Sequence, residues 1–168
     1  MPIPAGYTSA QIIQAVPVNN GIIQVVNTQT GAVATGTTTI PFDDTIPQNT
    51  EGTEFLSLAI TPKSSSNLLL IQAVLNYSYS IANTVTMALF QDSTASALAA
   101  SCEYGSTATG MINSGLTYYM TAGTTSATTF KLRAGGESAG TLTVNGFSAA
   151  RKLGGVMISS LTIMEIAV

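Results

Sequence analysis

Residues 128–134, Thr-Thr-Phe-Lys-Leu-Arg-Ala, decide the fold class. Phe130, Leu132 and Ala134 point one way and Lys131 and Arg133 the other, the period of two that belongs to a strand with one dry and one wet face. Upstream, short segments of the same kind recur between turn formers. Phe55 to Thr61 alternates Leu56, Leu58 and Ile60 with Ser57 and Ala59 and is closed by Pro62 and three serines. Leu68 to Ser80 carries apolar residues on both faces at its start, as a central strand does. Val85 to Gln91, Ala97 to Glu103 and Gly115 to Thr121 follow, the last with Tyr118 and Tyr119, whose hydroxyls need partners wherever they are buried. Downstream, Gly140 to Asn145 leads to the Asn145-Gly146 turn, and Val156 to Val168 reads as a long final strand with a bulge at Ser159-Ser160. Segments spaced 8 to 15 residues apart, with no amphipathic helix, predict an all-β, antiparallel jelly-roll sandwich of about eight strands.

Composition agrees. Ser and Thr make up a quarter of the 168 residues, and the branched Thr side chain favours a pleated surface. Only 8% of residues are charged against a usual ~25%. So few ionic groups leave little to keep separate copies apart, which predicts a surface largely covered by protein. A net charge of −3 with five basic residues, the densest pair being Arg151-Lys152, argues against a nucleic-acid partner. No segment has the ~20 apolar residues of a membrane span, and the start lacks a secretory signal, so the expectation is a chain made in the cytoplasm, with no membrane partner. The lone Cys102 reads as a small buried hydrophobe.

Residues 1–35 differ from the remainder. They hold Pro2, Pro4 and Pro17 and no charged side chain, yet Ile12, Ile13, Val16, Val18, Ile22, Ile23, Val25 and Val26 are too apolar for a solvated linker. The division expected is an extended N-terminal arm over 1–35 and a jelly-roll domain over 36–168. Those eight aliphatic residues are the candidate contacts to a neighbouring subunit or capsomer. Fully extended, the arm reaches about 100 Å at roughly 3.3 Å per residue. The competing reading is that it forms the first strands of the domain.

Catalytic chemistry finds no purchase. The chain has no histidine, which removes the commonest general base and metal ligand together. Asp43-Asp44, between Ile40-Pro41 and Ile46-Pro47, reads as a turn closed by side-chain to backbone hydrogen bonds, since a hard cation needs more oxygen ligands than the segment offers. No phosphate-binding glycine loop is present. The expectations are no enzyme activity, no metal and no cofactor.

The segment Thr35-Gly-Thr-Thr-Thr-Ile-Pro-Phe-Asp-Asp-Thr-Ile-Pro-Gln-Asn-Thr-Glu-Gly52, with the strand from Phe55 to Pro62, resembles a module of bacteriophage virion and tail-fibre proteins. The resemblance continues loosely through Ala88 to Ser93 and the final strand. It implies a jelly roll that assembles as a homotrimer, either as the head of a tail fibre or as a stand-alone capsid decoration (cement) protein. A chain starting at Met1 with no shaft and an uncharged arm suits the second setting: a structural protein on the capsid exterior of the virion, bound to the major capsid protein. The other setting is a receptor-binding head of a short tail fibre, its loops Gly105 to Asn113 and Ala134 to Gly140 recognising host cell-surface glycan.

Overall fold

The computed structural model describes residues 21–168. Eight principal strands form two facing antiparallel sheets. The first sheet contains β1 (Ile22–Thr30), β4 (Leu68–Tyr79), β7 (Met111–Thr121) and β12 (Ser159–Ile166); the second contains β3 (Thr53–Ile60), β5 (Asn83–Gln91), β6 (Ala99–Gly105) and β8 (Thr128–Gly136). Four short strands complete the set: β2 (Ala34–Gly36), β9 (Leu142–Val144), β10 (Gly146–Phe147) and β11 (Ala150–Arg151). The order is β1-β12-β4 in the first sheet, with β7 on the other edge of β4, and β3-β8-β5-β6 in the second. The chain passes from one sheet to the other at nearly every connection, which is the jelly-roll path.

Register follows from which residues are apolar. Along β4, Leu69, Ile71, Ala73, Leu75 and Tyr77 all point inward. They meet Val85, Met87 and Leu89 of β5 and Phe130, Leu132 and Ala134 of β8 in one continuous core. Each large side chain removed from water there contributes about 1.5–3 kcal/mol. The Tyr77 hydroxyl meets Ser114 Oγ at 3.0 Å, and the Tyr79 hydroxyl donates to Ser138 O at 2.7 Å, so neither phenol is stranded in the core.

The expected boundary at residue 35 is corrected. Ile22–Thr30 runs antiparallel to β12, from Ile22 opposite Ile166 to Thr30 opposite Ser159, and Ala34–Gly36 pairs with β9. The cause lies in β12, whose apolar edge would stand open without a neighbour. Residues 21–36 are therefore the first strands of the sandwich. The predicted bulge at Ser159-Ser160 is also absent: β12 pairs with β4 without a break and with β1 without a break from Ser159 to Glu165, and the irregularities fall at Ile22/Gln24 and Glu54/Leu56. The final strand begins at Ser159 because Val156 and Ile158 belong to an exposed loop.

A polar joint closes the first sheet where β12 gives way to β9 along the edge of β4. Asn145, fully buried and at φ 54°, donates its side-chain amide to Thr30 O (2.8 Å) and Ala32 O (3.1 Å). Its Oδ1 accepts from Ser159 Oγ at 2.8 Å, and that hydroxyl in turn accepts the Asn76 N–H at 3.0 Å. Asparagine suits this place because it tolerates the left-handed conformation and supplies both a donor and an acceptor.

Residues 37–52 form a strap over part of the outward face of the second sheet, on β5 and the end of β8, while Ser57 and Ala59 of β3 stay exposed. Ile40 is buried there on Ala88 and Phe90, which point away from the main core. Arg133 ties the strap down, donating from Nε to Glu51 O (2.8 Å) and from Nη2 to Gly52 O (2.7 Å). Gly135 lies directly beneath Thr38 and Ile40, where a side chain would collide with the strap backbone.

Candidate interaction surface

Among the described residues the first sheet has no such cover. Its outward residues line up across four strands because the pairing registers align them. Val25, Met164, Leu70 and Tyr119 form one row, Asn27, Thr162, Gln72 and Thr117 the next, and Gln29, Ser160, Val74 and Gly115 a third. None of these residues is charged. Glu165 is the one ionic residue in the strands of this sheet, and it points inward.

Glu165 is 0% exposed and, among the described residues, has no cation paired with it. Four neutral donors replace the cation: Gln24 Nε2 (2.5 Å), Asn67 Nδ2 (2.5 Å) and the backbone N–H groups of Lys63 (2.7 Å) and Ser64 (3.2 Å). Burial acts to raise its pKa, but these hydrogen bonds outweigh burial and hold the carboxyl below its ordinary value. The carboxylate thereby fastens β1, the β3–β4 turn and β12 together under the lower end of the uncharged face.

Of the arm residues singled out from sequence, Ile12, Ile13, Val16 and Val18 lie outside the described residues. Ile22, Ile23 and Val25 are exposed at the start of β1, where they extend the uncharged face to its edge. Val26 differs from them: it turns inward opposite Ile163 and packs, partly buried, on the core. Cys102 is likewise not a buried hydrophobe. It is exposed, because β6 is an edge strand.

The Asp43-Asp44 segment is a turn. Asp43 Oδ1 accepts from the Thr45 hydroxyl and from its N–H (2.8 Å), and these two bonds hold the carboxyl below its ordinary pKa. Among the described residues no group of three or more acidic or cysteine side chains is arranged to hold a metal ion. The second loop assigned to glycan is short: Ala134 to Gly136 continues β8, leaving Glu137 to Gly140 as the connection.

The model of the Pgp3 C-terminal domain matches residues 41–168, three-quarters of the chain and every principal strand except β1. The chain belongs to the Pgp3 C-terminal domain family. The match starts inside the 35–52 segment that resembles the phage module, and the family carries no phage name. No curated protein matches the chain. Solved structures that resemble it include insect, viral and phage proteins. Eiger TNF of S. frugiperda is 9% identical, with 84% of this chain and 92% of that one covered and a TM-score of 0.45. An infectious bursal disease virus structure (Gt strain) is 12% identical over 87% of this chain and 40% of that one, TM-score 0.40. The enzymatically active domain of tailspike protein 4 from bacteriophage CBA120 is 13% identical over 88% and 20%, TM-score 0.29.

Proposed function

We propose that this member of the family is a non-enzymatic structural protein of a virion: a bacteriophage capsid decoration protein that works as a homotrimer on the capsid exterior. The observation that carries the assembly reading is the outward face of the first sheet, three aligned rows without a single charge and with no strap over them among the described residues. Copies joined through it would bury an apolar row bounded by amide and hydroxyl rows that can pair across the contact, the pattern of an interface core with a polar surround. The capsid setting draws its support from the resemblance of residues 35–62 to the phage module. In this reading residues 1–20, uncharged and bearing Ile12, Ile13, Val16 and Val18, reach the major capsid protein from the exposed end of β1.

The test is co-sedimentation of purified protein with emptied shells of the encoding phage, for the full chain and for a chain starting at Gly21. Binding by the full chain and its loss on truncation is the expected result. Truncated protein that binds as well as the full chain would remove the arm from the mechanism. Full-length protein that ignores shells and binds host cells would replace decoration with receptor binding.

A further inference from the structure

Two loops expose apolar side chains, and their charges are opposite. On the strap, Phe42 and Ile46 are 60% and 59% exposed on either side of Asp43-Asp44, above the outward face of β6. At the end of the first sheet, Met111, Phe147, Leu153 and Met157 line an open groove of about 580 Å³, with Lys152 at its rim. The Lys152 ammonium sits 5.3 Å from the centre of the Phe147 ring, and Arg151 adjoins it. Leu153 is held at φ 51°, an unfavourable conformation for leucine, while its side chain stays 69% exposed.

We propose that the Phe42–Asp44 tip of one copy docks into this groove on the next copy, with the Phe42 ring among Met111, Phe147 and Leu153 and Asp44 facing Arg151 and Lys152. The inference rests on the homotrimer reading and names its contact. Within one chain the tip lies on the second sheet and the groove opens at the first, and the ion pair found among the described residues is Arg133–Glu54, which uses none of these groups. Tip and groove are different surfaces, so the contact is head to tail, every copy uses both, and repetition closes a ring. Met111 belongs to the outward face of β7, so the groove is continuous with the uncharged face.

The experiment uses the full chain and the variants Asp44→Lys, Lys152→Glu and the two combined, followed by sedimentation velocity over a dilution series, with circular dichroism as the check on folding. Asp44 is chosen because Asp43 holds the turn. Each single reversal is expected to weaken self-association about tenfold or more, and the combined variant to recover most of that loss. Phe42→Ala, which changes no charge, is expected to weaken it as well. Single reversals that associate like the parent would overturn the loop contact and leave the trimer standing. Two weakened singles without recovery in the combination would show that the loops are not each other's partners. A parent chain that remains monomeric throughout would remove both readings.

Discussion

The two sheets dispose of charge in opposite ways. The second carries Lys131 and Arg133 on its outward face, with Glu54 3.6 Å from Arg133, and packs its own strap onto part of that face. The first keeps its outward face neutral and puts its single carboxylate inside. A charged face under an intramolecular strap is finished within one chain. A neutral face with no strap among the described residues is not, because none of those residues covers Leu70, Met164 and Tyr119 from outside. The difference separates the side that the strap packs against from the side that the proposed homotrimer would use.

The largest expected effect breaks this contrast by charging the neutral face. Leu70→Lys sets an ammonium between Met164 and Tyr119 in the central row. An unpaired charge buried at a contact costs about 3–5 kcal/mol, so association falls by roughly a hundredfold or more. Leu70 is partly buried in the single chain, so monomer stability should fall by about 1–2 kcal/mol, less than the loss at the contact. Ala59→Lys, exposed on the outward side of the second sheet, is the matched control and should leave association unchanged. Sedimentation velocity of the two variants side by side checks both; equal effects would erase the distinction between the faces.

Next in size is the inward carboxylate. Glu165→Gln keeps the shape but replaces an acceptor of four hydrogen bonds with an amide that cannot accept them all. The loss should be about 2–3 kcal/mol at neutral pH, read from urea unfolding. Its pKa is depressed in the folded chain relative to about 4.3 unfolded. The stabilisation is therefore complete above the unfolded value and disappears as pH falls through the lower folded one. The parent should lose stability across that acid window more steeply than the variant. Parallel acid limbs would mean that Glu165 does not fasten the sheet.

Asn145→Ala should cost slightly less, about 2 kcal/mol, since it deletes the amide bonds to Thr30 and Ala32 and leaves a non-glycine residue at positive φ without the asparagine's compensation. The damage should fall on the first sheet, with faster amide exchange in β1 and β9 and little change in β5 or β8.

How far the sequence announces this design depends on whether the signal is local. Thr128 to Ala134 and Leu68 to Ser80 are legible because a strand's period is written in consecutive residues, and the structure pairs both as read. β1 is not legible as a strand: the extra residue between Ile22 and Gln24 breaks its alternation, and the doublets Ile22-Ile23 and Val25-Val26 show no preferred face. The neutral surface is still less accessible, because Val25, Leu70, Tyr119 and Met164 come from distant segments and become a row only once three registers are known. The same holds for Glu165, whose four donors come from residues 24, 63, 64 and 67. Low overall charge does not tell the two faces apart; that required the strap, a stretch without periodicity and with Ile40 as its one deeply buried side chain.

The smallest expected effect tests whether the strap is an integral cover. Arg133→Ala deletes two hydrogen bonds to strap carbonyls and the 3.6 Å contact with Glu54. The ion pair is partly solvated and contributes little, so the hydrogen bonds dominate, and the loss should be about 1–2 kcal/mol. Arg133→Lys discriminates between the two causes. It keeps the charge beside Glu54 but cannot fork to Glu51 O and Gly52 O together. If the fork matters, the lysine variant stays close to the alanine variant in urea, and amides of residues 37–52 exchange faster in both. If the lysine restores parent stability, charge is what holds the strap, and the second sheet is covered by electrostatics instead of by hydrogen-bonded fit.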